Sequence, residues 1–322
     1  MSWANRHLPR KRDVSQIPEA FRPVIRPRAE QPQVLLSETF QVKPITTVSS
    51  VSAEPLHSTP AFLRRLEPAP HPSATELIHE GQTYVFVILR HLRTSMDNEL
   101  WISSYQSIRT WYTNRIIIID DNSSVNTVNG KLVNTEIIMS EWNGAGELLP
   151  YYYFWKHHWA DRMVFLHDSM FLHRPFRASE LEGEIRFHWY FDRTTKEDSK
   201  LLTYLSLLEQ DTVPLASSWK GCFGGGSIVD WKVVVHLEQT YRLLSRMVMV
   251  IRTRSDREMF ERLLGLLLFH EHIVEEATCS NFGNILSYPG AFESQVGTIE
   301  QATQAVLQKG YDTAIVKVWR GR

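Results

Sequence analysis

Residues 115–124 read RIIIIDDNSS, and this stretch constrains the fold more than any other. Four consecutive isoleucines without polar alternation describe a strand covered on both faces, as in the middle of a parallel sheet flanked by helices. The run ends abruptly in Asp120 and Asp121, then Asn122, Ser123 and Ser124. Two carboxylates at the carboxyl edge of such a strand stand where open α/β sheets bind their ligands. The competing reading is that Asp-Asn-Ser is turn chemistry that terminates the strand.

The surrounding pattern supports an α/β domain. YVFVILRH (84–91) reads as a buried strand, and 95–114 carries apolar residues at helical spacing. A weaker strand is expected over 132–142 and a helix over 144–161. RMVFLHDSMFL (162–172) reads as a buried strand interrupted by polar residues. Alternation of strand and helix of this kind predicts a mainly parallel sheet. Further on, 184–192 predicts a strand, 198–210 a helix, and 219–247 a glycine-rich turn and strand feeding another helix. A strongly amphipathic helix follows over 255–272, then a short helix and strand from 297 to 322. Eleven of the fifteen prolines precede residue 73. Residues 1–82 are therefore expected to form a disordered arm, because such a segment sustains neither helices nor central strands. The globular domain is placed at 83–296, with 297–322 as an extension.

The formal charge is −1, which exerts no general pull toward nucleic acid or anionic lipid, so no nucleic-acid partner is expected. The two cysteines, Cys222 and Cys279, suit a reducing compartment better than a disulfide scaffold. No apolar run approaches the roughly 18 residues of a membrane span, the longest candidate being LLGLLLF at 263–269. A cytoplasmic location is the expectation.

A nucleotide at the acidic sheet edge needs its phosphates held. Glycine-rich turns do this in dinucleotide-binding and P-loop folds, yet no glycine occurs between Gly81 and Gly130. Phosphate charge must then be met by a metal, by cationic side chains, or by both. Asp168 interrupts an apolar strand in HDS, and a buried unpaired carboxylate there would cost several kcal/mol. It is expected to reach solvent, a partner or an ion.

At this point the chain resembles nucleotide-diphospho-sugar transferases of the GT-A fold. The resemblance rests on VFVILRH followed by a helix, a strand ending in DDNS, GELLPYYYF, and an acidic strand end 47 positions after Asp121. The strings RHLRTS, SIRTWY, IIIIDDNS, HDSMF and GCFGG are also similar to those of uncharacterised glycosyltransferase-like proteins of large DNA viruses and microbes. The likeness covers about residues 83–290. It implies a metal-assisted transferase using a UDP- or GDP-linked sugar donor and a glycan, protein or small-molecule acceptor. Arg90, His91, Asp120, Asp121 and Asp168 would contact the donor, and Asp168 would hold Mn²⁺ or Mg²⁺. Cys222, Phe223, Gly224 and Gly225 would lie against the acceptor, although the glycines equally suit a tight loop. Asp256, with Glu258 in reserve, would deprotonate the acceptor. The competing account of these acids is a capping box from Ser255 to Glu258. HDS departs from the family's DXD motif in having one acid instead of two, which leaves a non-catalytic nucleotide-binding or scaffold protein as the alternative. The HEH sequence at 270–272 reads as a solvated helix end. Most of the aromatic run from Tyr151 to Trp155 reads as core.

Overall fold

The computed structural model describes residues 71–124, 132–194, 199–208, 218–290 and 298–319, all within the unit Arg65–Arg322. The expected arm over 1–82 lies almost wholly outside the described residues. Its proposed boundary is late, since β1 (Ile78–His79) already pairs with the start of β2 (Gln82–Arg90).

The central sheet runs β4 (Thr135–Met139), β3 (Ile116–Asp120), β2, β5 (Arg162–His167), β10 (Ser227–Asp230), β7 (Ile185–Phe187). Strands β4, β3, β2 and β5 are parallel, and β10 is antiparallel to both β5 and β7. The fold is thus α/β with a mostly parallel sheet flanked by helices. Ile116 to Ile119 are fully buried, as a strand covered on both faces requires. Their side chains alternate between two cores: Ile117 and Ile119 face one, Ile116 and Ile118 the other.

Helix α1 (Ser95–Trp111) follows β2 and is opened by a capping box between Thr94 and Asp97. Helix α2 (Leu148–His157) packs the aromatic run into the core, with Tyr151, Tyr152, Tyr153 and Phe154 buried. The expected strand over 162–172 is two strands, β5 and β6 (Met170–Leu172), separated by a turn at Asp168 and Ser169. The expected strand over 184–192 also divides. Its second half, β8 (Tyr190–Thr194), leaves the main sheet to pair with β9 (Ser218–Cys222).

Helix α3 (Ser199–Leu205) and α6 (Arg254–His270) pack together. Between β10 and α6, the helical segment breaks into α4 (Trp231–Tyr241) and α5 (Leu243–Met247) at Arg242, whose φ is 56°. α6 lies across β9 so closely that a Cβ on Gly265 would stand 2.2 Å from the Lys220 carbonyl oxygen. The C-terminal helix α7 (Ile299–Gln308) leads to β11 (Ile315–Lys317), which pairs with β6. No helix among the described residues is long and apolar enough to cross a membrane.

Candidate active site

Parallel register puts the carboxyl ends of β2, β3 and β5 at one edge. Arg90 pairs with Asp120, and Leu89 with His167, so Asp168 begins the turn one position beyond that register. β3 and β5 flank β2, which places their terminal acids about 10 Å apart in backbone terms, two strand spacings. Because β10 is antiparallel, the glycine segment that precedes it starts at this same edge.

Of the residues expected at the donor, two are turned onto each other. Arg90 Nε donates to Asp120 Oδ2 at 2.7 Å, and neither side chain is exposed. The guanidinium also lies over the Trp101 ring at 4.7 Å. Asp120 Oδ1 accepts the Ser123 N–H at 2.8 Å, the turn chemistry that the sequence offered as the alternative. Asp121 holds the 140–147 loop: Oδ1 accepts from Gly144 N at 2.6 Å and Oδ2 from Gly146 N at 3.1 Å. His91 Nδ1 donates to the Asp121 carbonyl. Asp168 is 6% exposed, and its N–H donates to Leu89 O at 3.0 Å.

The acceptor expectation changes in detail. Cys222 is fully buried, its Sγ 3.7 Å from Gly226 O, and burial pushes its thiol well above the usual range. Such a group packs within the protein's interior. Gly224 and Gly225 have φ of 61° and 65°, and a Cβ on Gly224 would come within 2.8 Å of His167 Nε2. That imidazole donates to Gly224 O at 2.6 Å. The glycines therefore admit the protein's own His167, Phe165 and Glu147. Phe223 is half-buried, 5.6 Å from Trp319 between ring centroids.

The capping box on α6 lies two residues earlier than expected. Thr253 is the cap and Asp256 its partner, because the helix begins at Arg254. Asp256 accepts from Arg252 N at 3.2 Å, Thr253 N at 2.9 Å, Tyr204 Oη at 2.7 Å and Lys200 Nζ at 3.2 Å. Against the opposing effect of burial, the Tyr204 and Thr253 bonds hold its pKa down to about 2. Glu258 is on the surface, 3.3 Å from Arg254.

Four residues that sequence reasoning missed complete the edge. Glu147, at the start of α2, lies 2.9 Å from Arg257 Nε. Burial raises its pKa, while Arg257 and Lys317 oppose the rise and Asp121 adds to it. Strands β3 and β11 and helices α2 and α6 are thereby brought within electrostatic reach of one carboxylate. Glu261, one turn after Arg257, accepts from the Gly224 backbone. Burial first, and Glu147 second, push its pKa well above the usual range. One of these two buried carboxyls thus retains a proton more readily than an isolated glutamate. Lys317 was legible by the argument already applied to Asp168, as a lone charge in the apolar strand TAIVKVW.

Among the described residues, no group of three or more His, Cys, Asp or Glu side chains is placed to hold a metal ion. The Asp120, Asp121 and Glu147 carboxylates at the edge are engaged by Arg90, by the Gly144 and Gly146 amides, and by Arg257. A hard divalent cation wants several oxygen donors, so this donor set does not fit the Mn²⁺ or Mg²⁺ expected at Asp168. A separate cavity of about 330 Å³ opens at the opposite edge of the sheet, lined by Gln82, His158, Asp161, Asp230, Trp231 and Lys232.

No family model matches the chain, and no curated protein matches its sequence. Among solved structures it is similar to core-mannan synthase A of Aspergillus fumigatus, determined in an Mn/GDP form. The two are 13% identical, the match covers 66% of this chain and 76% of that one, and the TM-score is 0.35.

Proposed function

We propose that the chain binds a UDP- or GDP-linked sugar at the carboxyl edge of its sheet and transfers the sugar to a hydroxyl of a glycan, protein or small-molecule acceptor. One observation carries this reading. Segments far apart in sequence, at 120–121, 144–147, 167–168, 222–226 and 257–261, meet at the edge where an α/β sheet takes its ligand. In the GT-A resemblance, the corresponding segments would serve donor and acceptor. His91 and Asp168 are the donor-side candidates that remain at the edge, while Arg90, Asp120 and Asp121 shape it.

A transfer by direct displacement requires a carboxylate that takes the acceptor's proton. Asp256 is poorly suited, since the donors that hold it ionised also lower its proton affinity. Glu258 is directed to the surface. Glu147 suits the role better: its pKa is raised by burial, and it lies against Gly225. Arg257 would orient its carboxylate.

A second reading, a nucleotide-binding scaffold without turnover, is favoured by the engagement of Arg90, Asp120, Asp121 and Asp256 in structural bonds. Thermal shifts with a panel of UDP- and GDP-sugars test the donor assignment, which fails if none moves the melting point. Release of UDP or GDP from a bound sugar donor then separates the readings. Transferase activity predicts slow hydrolysis that Glu147→Gln removes, and a scaffold predicts none.

A further inference from the structure

The cavity of about 330 Å³ lies at the amino-terminal edge of the parallel strands, apart from the carboxyl edge. Asp161 precedes β5 and Asp168 follows it, so the two edges stand roughly 23 Å apart at about 3.3 Å per residue. The lining is fixed by bonds between elements. Asp161 Oδ2 accepts from Thr83 N at 2.9 Å and from Thr83 Oγ1 at 2.8 Å, and Asp161 O accepts from Trp231 N at 2.8 Å. Asp230 pairs with Arg162, whose side chain is 2% exposed. β2, β5 and the start of α4 are thereby joined around the cavity.

One part of the lining is aromatic. His158 stacks on Trp231 with ring centroids 3.7 Å apart and planes 13° from parallel. His158 is exposed and Trp231 half-buried. Backbone geometry holds the histidine there. It caps α2 in the left-handed region at φ 46°, a position that glycine or asparagine ordinarily fills. A side chain kept in that conformation beside a cavity is the kind of local strain that gathers at ligand sites.

Charge selects the class of ligand. An anion would meet Asp161 and Asp230. A cation would meet Lys232, and finds little net charge to draw it, because Asp230 is answered by Arg162 and Lys232 and His158 lie within electrostatic reach of Asp161. The remaining acid, Glu80, has a side chain 79% exposed. A neutral ligand rich in hydroxyls avoids both conflicts. Hydroxyls donate to carboxylates and accept from the Lys232 ammonium and the Gln82 amide, while an apolar face covers the aromatic pair. A pyranose ring has both features, and the volume lies within the range of small-ligand sites, from about 300 Å³ upward.

We propose that this cavity is a saccharide-binding site, with one pyranose ring against the His158 and Trp231 pair and its hydroxyls on Asp161, Gln82 and Lys232. The site does not depend on sugar transfer at the carboxyl edge. Saturation-transfer NMR of the full chain with methyl glycosides of mannose, glucose, galactose and N-acetylglucosamine tests it, with choline and glycine as controls. At least one glycoside should be saturated through its ring C–H protons, and the controls should not. Asp161→Asn should weaken that glycoside by about 10-fold, the loss of a charge-assisted bond. His158→Asn, which keeps a residue suited to the left-handed cap, should remove the C–H signal. Lys156→Ala, outside the cavity, should bind like the parent. Should either site variant fail to fold, Lys232→Ala at an exposed position takes its place, with the same weakening expected. Absence of glycoside binding, binding that the site variants leave unchanged, or binding of choline or glycine instead overturns the proposal. A sugar held only at the carboxyl edge gives the second of these results, so the nucleotide-sugar reading is judged separately.

Discussion

Arg90 and Asp120 face each other across two adjacent parallel strands at 2.7 Å, with both side chains fully buried. Removing one partner strands a charge in the interior, so Asp120→Ala should lower stability by about 3–5 kcal/mol. The paired replacement Arg90→Met with Asp120→Leu should recover much of that loss, as read by chemical denaturation. A ligand role for Asp120 without a structural one would leave the single variant's stability near that of the parent.

Asp121 closes the 140–147 loop through the Gly144 and Gly146 amides. Asp121→Ala should cost on the order of 2 kcal/mol by leaving those donors unmatched. It should also open the loop to protease. Unchanged cleavage within 140–147 would contradict the bracing role.

Gly265 sits in the middle of α6, where alanine would ordinarily be favoured by about 1 kcal/mol. Here the added Cβ meets the Lys220 carbonyl oxygen of β9 at 2.2 Å, and backbone cannot move aside as a side chain does. Overpacking should win, with Gly265→Ala destabilising by about 3 kcal/mol and a corresponding drop in Tm.

His188 is fully buried, and burial lowers its pKa from 6.5 to about 4 against a single opposing bond to Phe165 O at 2.9 Å. Its folded pKa lies below its unfolded one. The neutral ring's contribution is therefore intact above pH 6.5 and is lost as pH falls from 6.5 to about 4, a cost on the order of 3 kcal/mol. His188→Phe should be less stable than the parent at pH 7 because Phe165 O loses its donor. Its Tm should nevertheless fall less between pH 6.5 and 4, which a pH series of melting curves reads directly.

Asp256 and Glu258 should separate sharply. Asp256→Ala removes the N3 half of the capping box and should cost about 1 kcal/mol, whereas Glu258→Ala breaks an exposed pair and should change stability by less than about 0.5 kcal/mol. Equal Tm values for the two variants would refute the capping assignment.

The sequence by itself determined the α/β class, the buried strand at 116–120 and the interruption after His167. Each of these is written in local periodicity, because a strand covered on both faces must be continuously apolar and a lone charge must break it. It also marked the carboxyl edge, since parallel strands all present their ends on one side. Only the tertiary structure decided which acids at that edge are occupied. Asp120 is neutralised by a residue 30 positions away and Asp121 by a loop more than 20 positions on. The capping box shifted by two residues because helix starts are set by which side chain reaches a free amide, and Thr253 reaches first. Glu147, Arg257, Glu261 and Lys317 span 170 positions of chain and meet through packing of α2, α6 and β11. No local pattern encodes that meeting, because burial and counter-charge arise between elements and not within them.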